Sequence, residues 1–189
     1  MQLINTSQHN IRSYKSVKVG PIDFYLCPKC GTNTIKYASY LYDGGKKLVS
    51  DMRDSSYDIL RNNRGEIDYS LERKNAIRIA VKRDPVERFQ SALLWYNYKY
   101  SQNVAVEDVF KYNIADPHFY SQTQFYKEPD RYDYIIEISE ITDIIHMITG
   151  KCLGKIHKGQ QVKNRMTLTI LQKEMIRKNY EIDYENSYC

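Results

Sequence analysis

A short segment that passes from an apolar stretch through a glycine turn into a helical pattern most constrains how this chain folds. Residues 24–26 are apolar, residues 27–31 carry proline, lysine and glycine, and apolar side chains then recur at helical spacing at Ile35, Tyr37, Ala38 and Leu41. A strand, a tight turn and a helix in this order direct backbone N–H groups and the positive end of the helix dipole at a bound anion. The segment therefore predicts an anion-binding loop within an α/β protein.

The residues of this loop limit which anion it binds. Lys29 supplies a full positive charge, and Gly31 lets a ligand approach the backbone closely. The hydroxyls of Thr32 and Thr34 can bond anionic oxygens. The common nucleoside-triphosphate loop has glycine, four residues and then Gly-Lys-Ser/Thr, whereas here the lysine precedes the glycine by two residues. The spacing favours an anion other than a triphosphate.

A second segment pairs an arginine with a serine at the start of another helix. Residues 76–82 have the pattern of a buried strand, and Asp84 then suits a helix N-cap that Glu87 completes as a capping box. Arg83 at the strand end and Ser91 two turns into the helix can converge on one phosphate. The core face of this helix is predicted to carry Val86, Phe89, Leu93 and Tyr96, and another face Arg88, Ser91 and Trp95.

Strands alternate with helices along the chain. Residues 134–138 have the pattern of a third strand, Ser139 caps the next helix, and Gly150 ends it. The predicted helices include residues 32–42, 85–100, 105–112 and 167–179, the last with Leu168, Leu171 and Met175 at core spacing. This alternation predicts a parallel sheet covered on both sides, in one domain over residues 21–189 that follows an arm over residues 1–20.

Composition and charge restrict the class of partner and the compartment. The net charge of +5 comes without a basic block or stripe, which argues against nucleic-acid binding. No run approaches the roughly 18 apolar residues of a membrane span. The cysteine pattern is typical of a reducing compartment, so we expect a cytoplasmic protein. Structural zinc at Cys27 and Cys30 would require a second pair that the chain lacks, which leaves a redox disulfide or, as we favour, two ordinary residues of the loop.

Together, the two phosphate motifs resemble those of sulfotransferases that use 3′-phosphoadenosine-5′-phosphosulfate (PAPS), and most closely the branch that sulfates carbohydrates. Residues 28–34 resemble that family's 5′-phosphosulfate loop, and residues 83–91 resemble its 3′-phosphate motif, including the arginine-to-serine spacing. A His-aromatic-x-x-Gln element, a Tyr-Asp-aromatic-Ile strand and a closing Tyr-x-x-Asp-Tyr are also matched, by residues 116–122, 132–137 and 180–184. The resemblance implies a P-loop-like three-layer fold, with a small central parallel sheet flanked by helices. It also implies transfer of a sulfonate group from PAPS to a hydroxyl of a carbohydrate or another small acceptor.

The resemblance further implies roles for individual residues. Lys29 stabilises charge on the leaving oxygen, and a basic loop before the last helix closes over the donor. The donor-binding residues implied in this way are Lys29, Cys30, Gly31, Thr32, Asn33, Thr34, Arg83, Ser91, Lys163 and Arg165. Sulfonate transfer requires no metal ion, and the sequence shows no cluster of metal ligands.

The catalytic base has two candidate locations. The resemblance puts His118 in a matching element, and imidazole titrates near neutral pH. Many relatives instead take the base from the segment between the two phosphate motifs, where this chain offers the carboxylates Asp51, Asp54, Glu66 and Glu72.

Two other functions remain open from the residues alone. A P-loop-like nucleotide or small-molecule kinase would want Mg²⁺ and a Gly-Lys-Ser/Thr step, which the sequence lacks. A non-catalytic nucleotide-binding module would keep the fold without the chemistry. We expect a hydroxylated acceptor, with a glycan as the first candidate; its identity and the oligomeric state do not follow from the sequence.

Overall fold

The computed structural model describes residues 16–42, 73–126, 129–150 and 166–185 of the chain. The strands in these ranges form one four-stranded sheet in the order β1-β2-β3-β4. β2, β3 and β4 run parallel, as predicted, whereas β1 pairs antiparallel with β2. The strands are β1 (Val17–Val19), β2 (Ile22–Tyr25), β3 (Ile77–Lys82) and β4 (Tyr134–Glu137).

The predicted parallel sheet extends over β2, β3 and β4, and β1 adds an antiparallel strand at its edge. Gly20 and Pro21 form the turn between β1 and β2, and Gly20 adopts a left-handed conformation with φ of 57°. A two-residue turn reverses the chain and imposes antiparallel pairing, whereas parallel neighbours need a long crossover connection. β1 therefore joins the last residues of the predicted arm to a mixed sheet.

Helices follow the carboxyl ends of β2, β3 and β4, which makes the protein α/β. Those described are α1 (Thr32–Tyr42), α2 (Pro85–Tyr100), α3 (Val106–Lys111), α4 (Gln122–Tyr126), α5 (Ile141–Thr149), α6 (Ile170–Asn179) and α7 (Glu181–Glu185). Short 3₁₀ turns cover Pro117–Phe119, Pro129–Arg131 and Ile138–Glu140. None of the helices in the described ranges is long and apolar enough to cross a membrane.

The ends of the helices test the predicted capping residues. Asp84 caps α2, because its Oδ1 accepts a 2.9 Å hydrogen bond from the backbone N–H of Glu87. Gly150 ends α5 in a left-handed conformation, as predicted. The prediction that Ser139 caps this helix is wrong, because Ser139 lies inside a 3₁₀ turn and Glu140 occupies the N-cap.

Apolar side chains form two clusters. The first packs the sheet with α1 and α5, and the second packs α2 with α3 and α6. Phe89 lies in the second cluster, with ring centroids 5.2 Å from Phe110 and 5.4 Å from Phe119. The predicted core face of α2 is confirmed, but the prediction for Leu171 is wrong: it is 75% exposed, and α6 buries Ile176 instead.

A buried ion pair fixes the entry to β3. Asp23 in β2 is completely buried, and its Oδ1 lies 2.7 Å from Nη2 of Arg73. The same guanidinium donates to the carbonyl oxygens of Gly20 and Ile22. Arg73 therefore holds the segment before β3 against the β1–β2 turn.

Candidate functional site

The predicted anion loop is a tight turn between β2 and α1. The carbonyl oxygen of Cys27 accepts a hydrogen bond from Cys30 N at 3.1 Å and another from Thr32 Oγ1 at 3.0 Å. Lys29 and Gly31 both have left-handed backbones, with φ of 70° and 77°. This conformation is unfavourable for a residue with a Cβ. The surrounding structure therefore holds Lys29 in a strained but defined position.

Gly31 is required by space as well as by backbone conformation. A Cβ added at this position would lie 2.3 Å from Cδ1 of Ile141, the first residue of α5. The start of α5 therefore packs directly against the loop.

The second predicted motif supports the loop from the neighbouring strand. Because β2 and β3 are parallel neighbours, the segments that follow them meet at one edge of the sheet. Nη1 of Arg83 donates to the carbonyl oxygen of Lys29 at 3.1 Å, and Nε of Arg88 donates to that of Pro28, also at 3.1 Å. The two motifs predicted from the sequence thus lie together.

Gln122 connects the same two motifs through its side-chain amide. Its Oε1 accepts hydrogen bonds from Cys30 Sγ at 3.2 Å and from Arg83 N at 3.0 Å, and its Nε2 donates to Arg83 O at 2.8 Å. The residue is completely buried. Gln122 therefore sets the position of the Arg83 backbone relative to the loop.

The C-terminal element in turn holds Gln122. Asp183 is completely buried; its Oδ2 accepts from Gln122 N, and its Oδ1 accepts from Thr123 N, each at 2.9 Å. Two N–H groups at the start of α4 are satisfied in this way, as at a helix cap. Asp183 thus supports the loop indirectly, through Gln122.

The two predicted catalytic residues meet on one aromatic ring. Nζ of Lys29 lies 4.9 Å from the ring centroid of Trp95, and the His118 ring stacks on Trp95 with centroids 3.8 Å apart. Lys99 also places its Nζ 4.5 Å from the Trp95 ring. The indole therefore contacts the imidazole and lies close to two cations, an arrangement favoured by cation–π attraction.

Asp116 orients the imidazole. Its Oδ1 lies 2.6 Å from Nδ1 of His118 and also accepts the backbone N–H of His118 at 2.8 Å. Burial raises the pKa of Asp116, but the hydrogen bonds and charge of His118 outweigh it, and the pKa is lowered. An ionised carboxylate accepts Nδ1–H, which leaves Nε2 as the proton-accepting nitrogen.

Lys29 titrates near neutral pH in this site. Burial, reinforced by the charge of Arg83, lowers the pKa of Lys29 from 10.5 to about 7, while Asp116 acts in the opposite direction. An anion placed beside the ammonium group would favour its charged form.

The other predicted residues lie as follows. Thr32, Asn33 and Thr34 form the half-buried first turn of α1, and Ser91 is half-buried in α2. The hydroxyl of Thr32 donates its hydrogen to the carbonyl oxygen of Cys27. Several predicted site residues lie outside the described part of the chain: Lys163, Arg165, Asp51, Asp54, Glu66 and Glu72.

Sequence reasoning missed three parts of the site. Trp95 was assigned only to a face of α2, although its spacing from Arg88 on that face was a signal. Asp116 precedes His118 by two residues with proline between them, a pattern typical of a side-chain cap. The contact of Asp183 with Gln122 had no local signal, because 61 residues separate them.

No protein-family model, no curated protein and no solved structure matches the chain. In residues 16–42, 73–126, 129–150 and 166–185, no group of three or more His, Cys, Asp or Glu side chains could hold a metal ion.

Proposed function

We propose that the protein is a sulfotransferase that moves a sulfonate group from PAPS to a hydroxyl of a carbohydrate or another small acceptor, on a P-loop-like fold. The observation that carries the proposal is the shared position of Lys29 and His118 on Trp95. A cation for the leaving group and a base for the acceptor are the two groups that the reaction needs, and they lie on one ring.

The loop motif suits the 5′-phosphosulfate of the donor, and the arginine–serine motif suits its 3′-phosphate. The first N–H groups of α1 have no partner within the helix and, with Lys29, suit the 5′-phosphosulfate. Arg83 suits the 3′-phosphate because its buried Nε has no hydrogen bond in the described structure, although Glu87 Oε2 lies 3.5 Å away. A phosphate between Arg83 and the hydroxyl of Ser91 would complete this half of the site.

The reaction follows from these roles. The acceptor oxygen attacks sulfur, the bond from sulfur to the phosphate oxygen breaks, and the acceptor proton passes to Nε2 of His118. Asp116 stabilises the imidazolium that forms, and Lys29 neutralises charge on the departing phosphate. Each role assigns a change of charge to a group that is already positioned for it.

Donor binding is tested by thermal unfolding with 3′-phosphoadenosine-5′-phosphate (PAP), ATP and AMP. At about 100 times its dissociation constant a ligand adds about 2.7 kcal/mol of stability, which raises the melting temperature by a few degrees. We expect the largest shift with PAP. A larger shift with ATP and Mg²⁺ would favour a kinase, and no shift with PAP would overturn the proposal.

Transfer is tested with labelled PAPS and a pool of sugars. We expect His118→Asn to lower turnover by about 10²-fold or more while PAP binding persists. Lys29→Met should lower turnover and weaken PAP binding, and Lys173→Met, which removes an exposed lysine on α6, should change neither. PAP binding without transfer to any acceptor would instead favour a non-catalytic binding module.

A further inference from the structure

Two free thiols flank the turn at the centre of the loop. Cys27 and Cys30 are both buried, and neither belongs to a disulfide. The hydrogen bond of 3.1 Å from Cys30 N to Cys27 O closes a four-residue turn. Such turns bring their end Cα atoms within about 7 Å, which overlaps the range that a disulfide spans. The turn therefore brings the two residues into the range of separations in which a disulfide can form.

A buried cation lies beside this pair. Arg88 is completely buried, and in the described structure its Nη1 and Nη2 atoms have no hydrogen-bond partner. Its Nε alone is bonded, to the carbonyl of Pro28 inside the turn. Asp183 contributes a negative charge near Arg88, and an anionic neighbour at the thiol pair would stabilise the buried guanidinium further.

The thiol of Cys27 is suited to supply that charge. Burial raises its pKa, but contact with the Cys30 thiol and the charge of Arg88 outweigh burial, and the pKa is lowered. Burial and the neighbouring Cys27 raise the pKa of Cys30. These opposite shifts favour the thiolate form at Cys27 over that at Cys30, as in dithiols that exchange readily with disulfides.

We propose that Cys27 and Cys30 form a redox-active dithiol that a small peroxide converts to a disulfide, and that this modification weakens anion binding by the loop. The Cys27 thiolate attacks a peroxide oxygen, the O–O bond breaks, and Cys27 becomes a sulfenic acid. Cys30, having lost its proton to the released hydroxide, then displaces the sulfenic oxygen to form the S–S bond. The sulfur pair loses two electrons, and the peroxide leaves as one water molecule and one hydroxide ion.

The disulfide removes two interactions at once. Arg88 loses the thiolate charge, and Gln122 Oε1 loses the S–H donor of Cys30. Since Gln122 also binds the backbone of Arg83, the change reaches both phosphate motifs. The expected loss of PAP affinity rests on the proposed function, whereas formation of the disulfide and loosening of the loop do not.

The test uses the full chain with Cys152→Ser and Cys189→Ser, so that only the pair can react. We expect hydrogen peroxide to produce a Cys27–Cys30 cross-link in peptide maps, faster amide exchange over residues 27–34, and reversal of both by dithiothreitol. PAP affinity should fall at least tenfold after oxidation and recover after reduction. Absence of the cross-link in the folded protein, or a cross-link that changes neither amide exchange nor affinity, would overturn the proposal. Failure of the reduced protein to bind PAP would count against the proposed function alone, because the cross-link and amide exchange still decide the redox step.

Variants at Arg88 test whether Cys27 and Cys30 act as a redox pair or are only two adjacent thiols. Arg88→Met should lower the rate of peroxide reaction about tenfold for each unit by which the pKa of Cys27 rises. It should also shift the thiol–disulfide equilibrium toward the disulfide, because the reduced form no longer gains the ion pair. Arg88→Lys keeps the charge and should remain close to wild type in both. Equal rates and equal equilibria in all three proteins would contradict the role of Arg88.

Discussion

Lys29 has a half-buried side chain, a strained backbone and a lowered pKa. Replacing it by methionine removes the titrating amine. The expected consequence is a change in how PAP affinity depends on pH. In the unliganded protein Lys29 releases its proton near pH 7, since its pKa is about 7 instead of 10.5. A phosphate beside Nζ favours the ammonium form, so binding above this pH takes up one proton.

The size of the effect follows from this proton uptake. Above the free-site pKa, the affinity falls about tenfold for each pH unit, so the dissociation constant of PAP should rise by up to about 100-fold between about pH 7 and pH 9. PAP keeps a constant charge across most of this window because its phosphates are fully ionised. Lys29→Met should bind more weakly near pH 7 and show little pH dependence.

The stability of the unliganded protein provides a second measure of the lowered pKa of Lys29. The unfolded chain keeps the Lys29 proton up to about pH 10, whereas the folded protein loses it near pH 7. The unfolded state therefore binds more protons in this window, and wild-type stability rises with pH relative to Lys29→Met. Between the folded and the unfolded pKa values the slope approaches about 1.4 kcal/mol per pH unit, and partial exposure of the side chain to solvent narrows this pH window without changing the slope within it.

Isothermal titration of PAP at several pH values measures the first effect, and urea unfolding without ligand measures the second. Lys173→Met is the matched control, because it removes an exposed lysine and should retain the wild-type slopes. A wild-type affinity that stays constant from about pH 7 to pH 9 would refute this account of Lys29. The same conclusion would follow if Lys29→Met kept the wild-type slope.

Three further predictions address positioning within the site. Gln122→Leu should destabilise the protein by about 2–4 kcal/mol in urea unfolding, because buried partners lose their hydrogen bonds, whereas exposed Gln102→Leu should stay within about 0.5 kcal/mol of wild type. Gly31→Ala should lower stability by about 2–5 kcal/mol, because its backbone is left-handed and the added Cβ would meet Cδ1 of Ile141 at 2.3 Å, and no loss of melting temperature would contradict the strained loop. Asp116→Asn should lower kcat about tenfold or more with PAP affinity retained, and an unchanged pH–rate profile would argue against its action through His118.

The sequence predicted those parts of the fold that short-range chemistry determines. The α1 and α2 boundaries follow from a glycine turn, the Asp84 cap and apolar spacing, all of which act within a few residues. The antiparallel pairing of β1 could also be predicted from the sequence, because a two-residue turn at Gly20 cannot connect parallel neighbours. Leu171 and Ile176 both fit an apolar stripe of α6, and only packing against α2 selects Ile176.

The remaining parts of the site depend on contacts between distant segments. Full burial of Arg88 contradicts the general preference of arginine for the surface, so no local pattern could predict it. Gln122 lies 92 residues from Cys30 and 39 from Arg83, yet its amide bonds to both. Such pairings follow from the order of the strands, which periodicity does not determine.

The arrangement of charge supports the proposal that this loop binds an anion. Arg83 and Arg88 both donate to carbonyl oxygens of the loop, and Lys29 projects from the same turn. Burial is the main cause of the lowered pKa of Lys29, and repulsion by the charge of Arg83 adds to it. The carboxylates of Asp116 and Glu87 are engaged with His118 and Arg83. A bound anion would relieve the repulsion between Lys29 and Arg83, and this repulsion is the physical source of the affinity that we predict for a doubly phosphorylated donor.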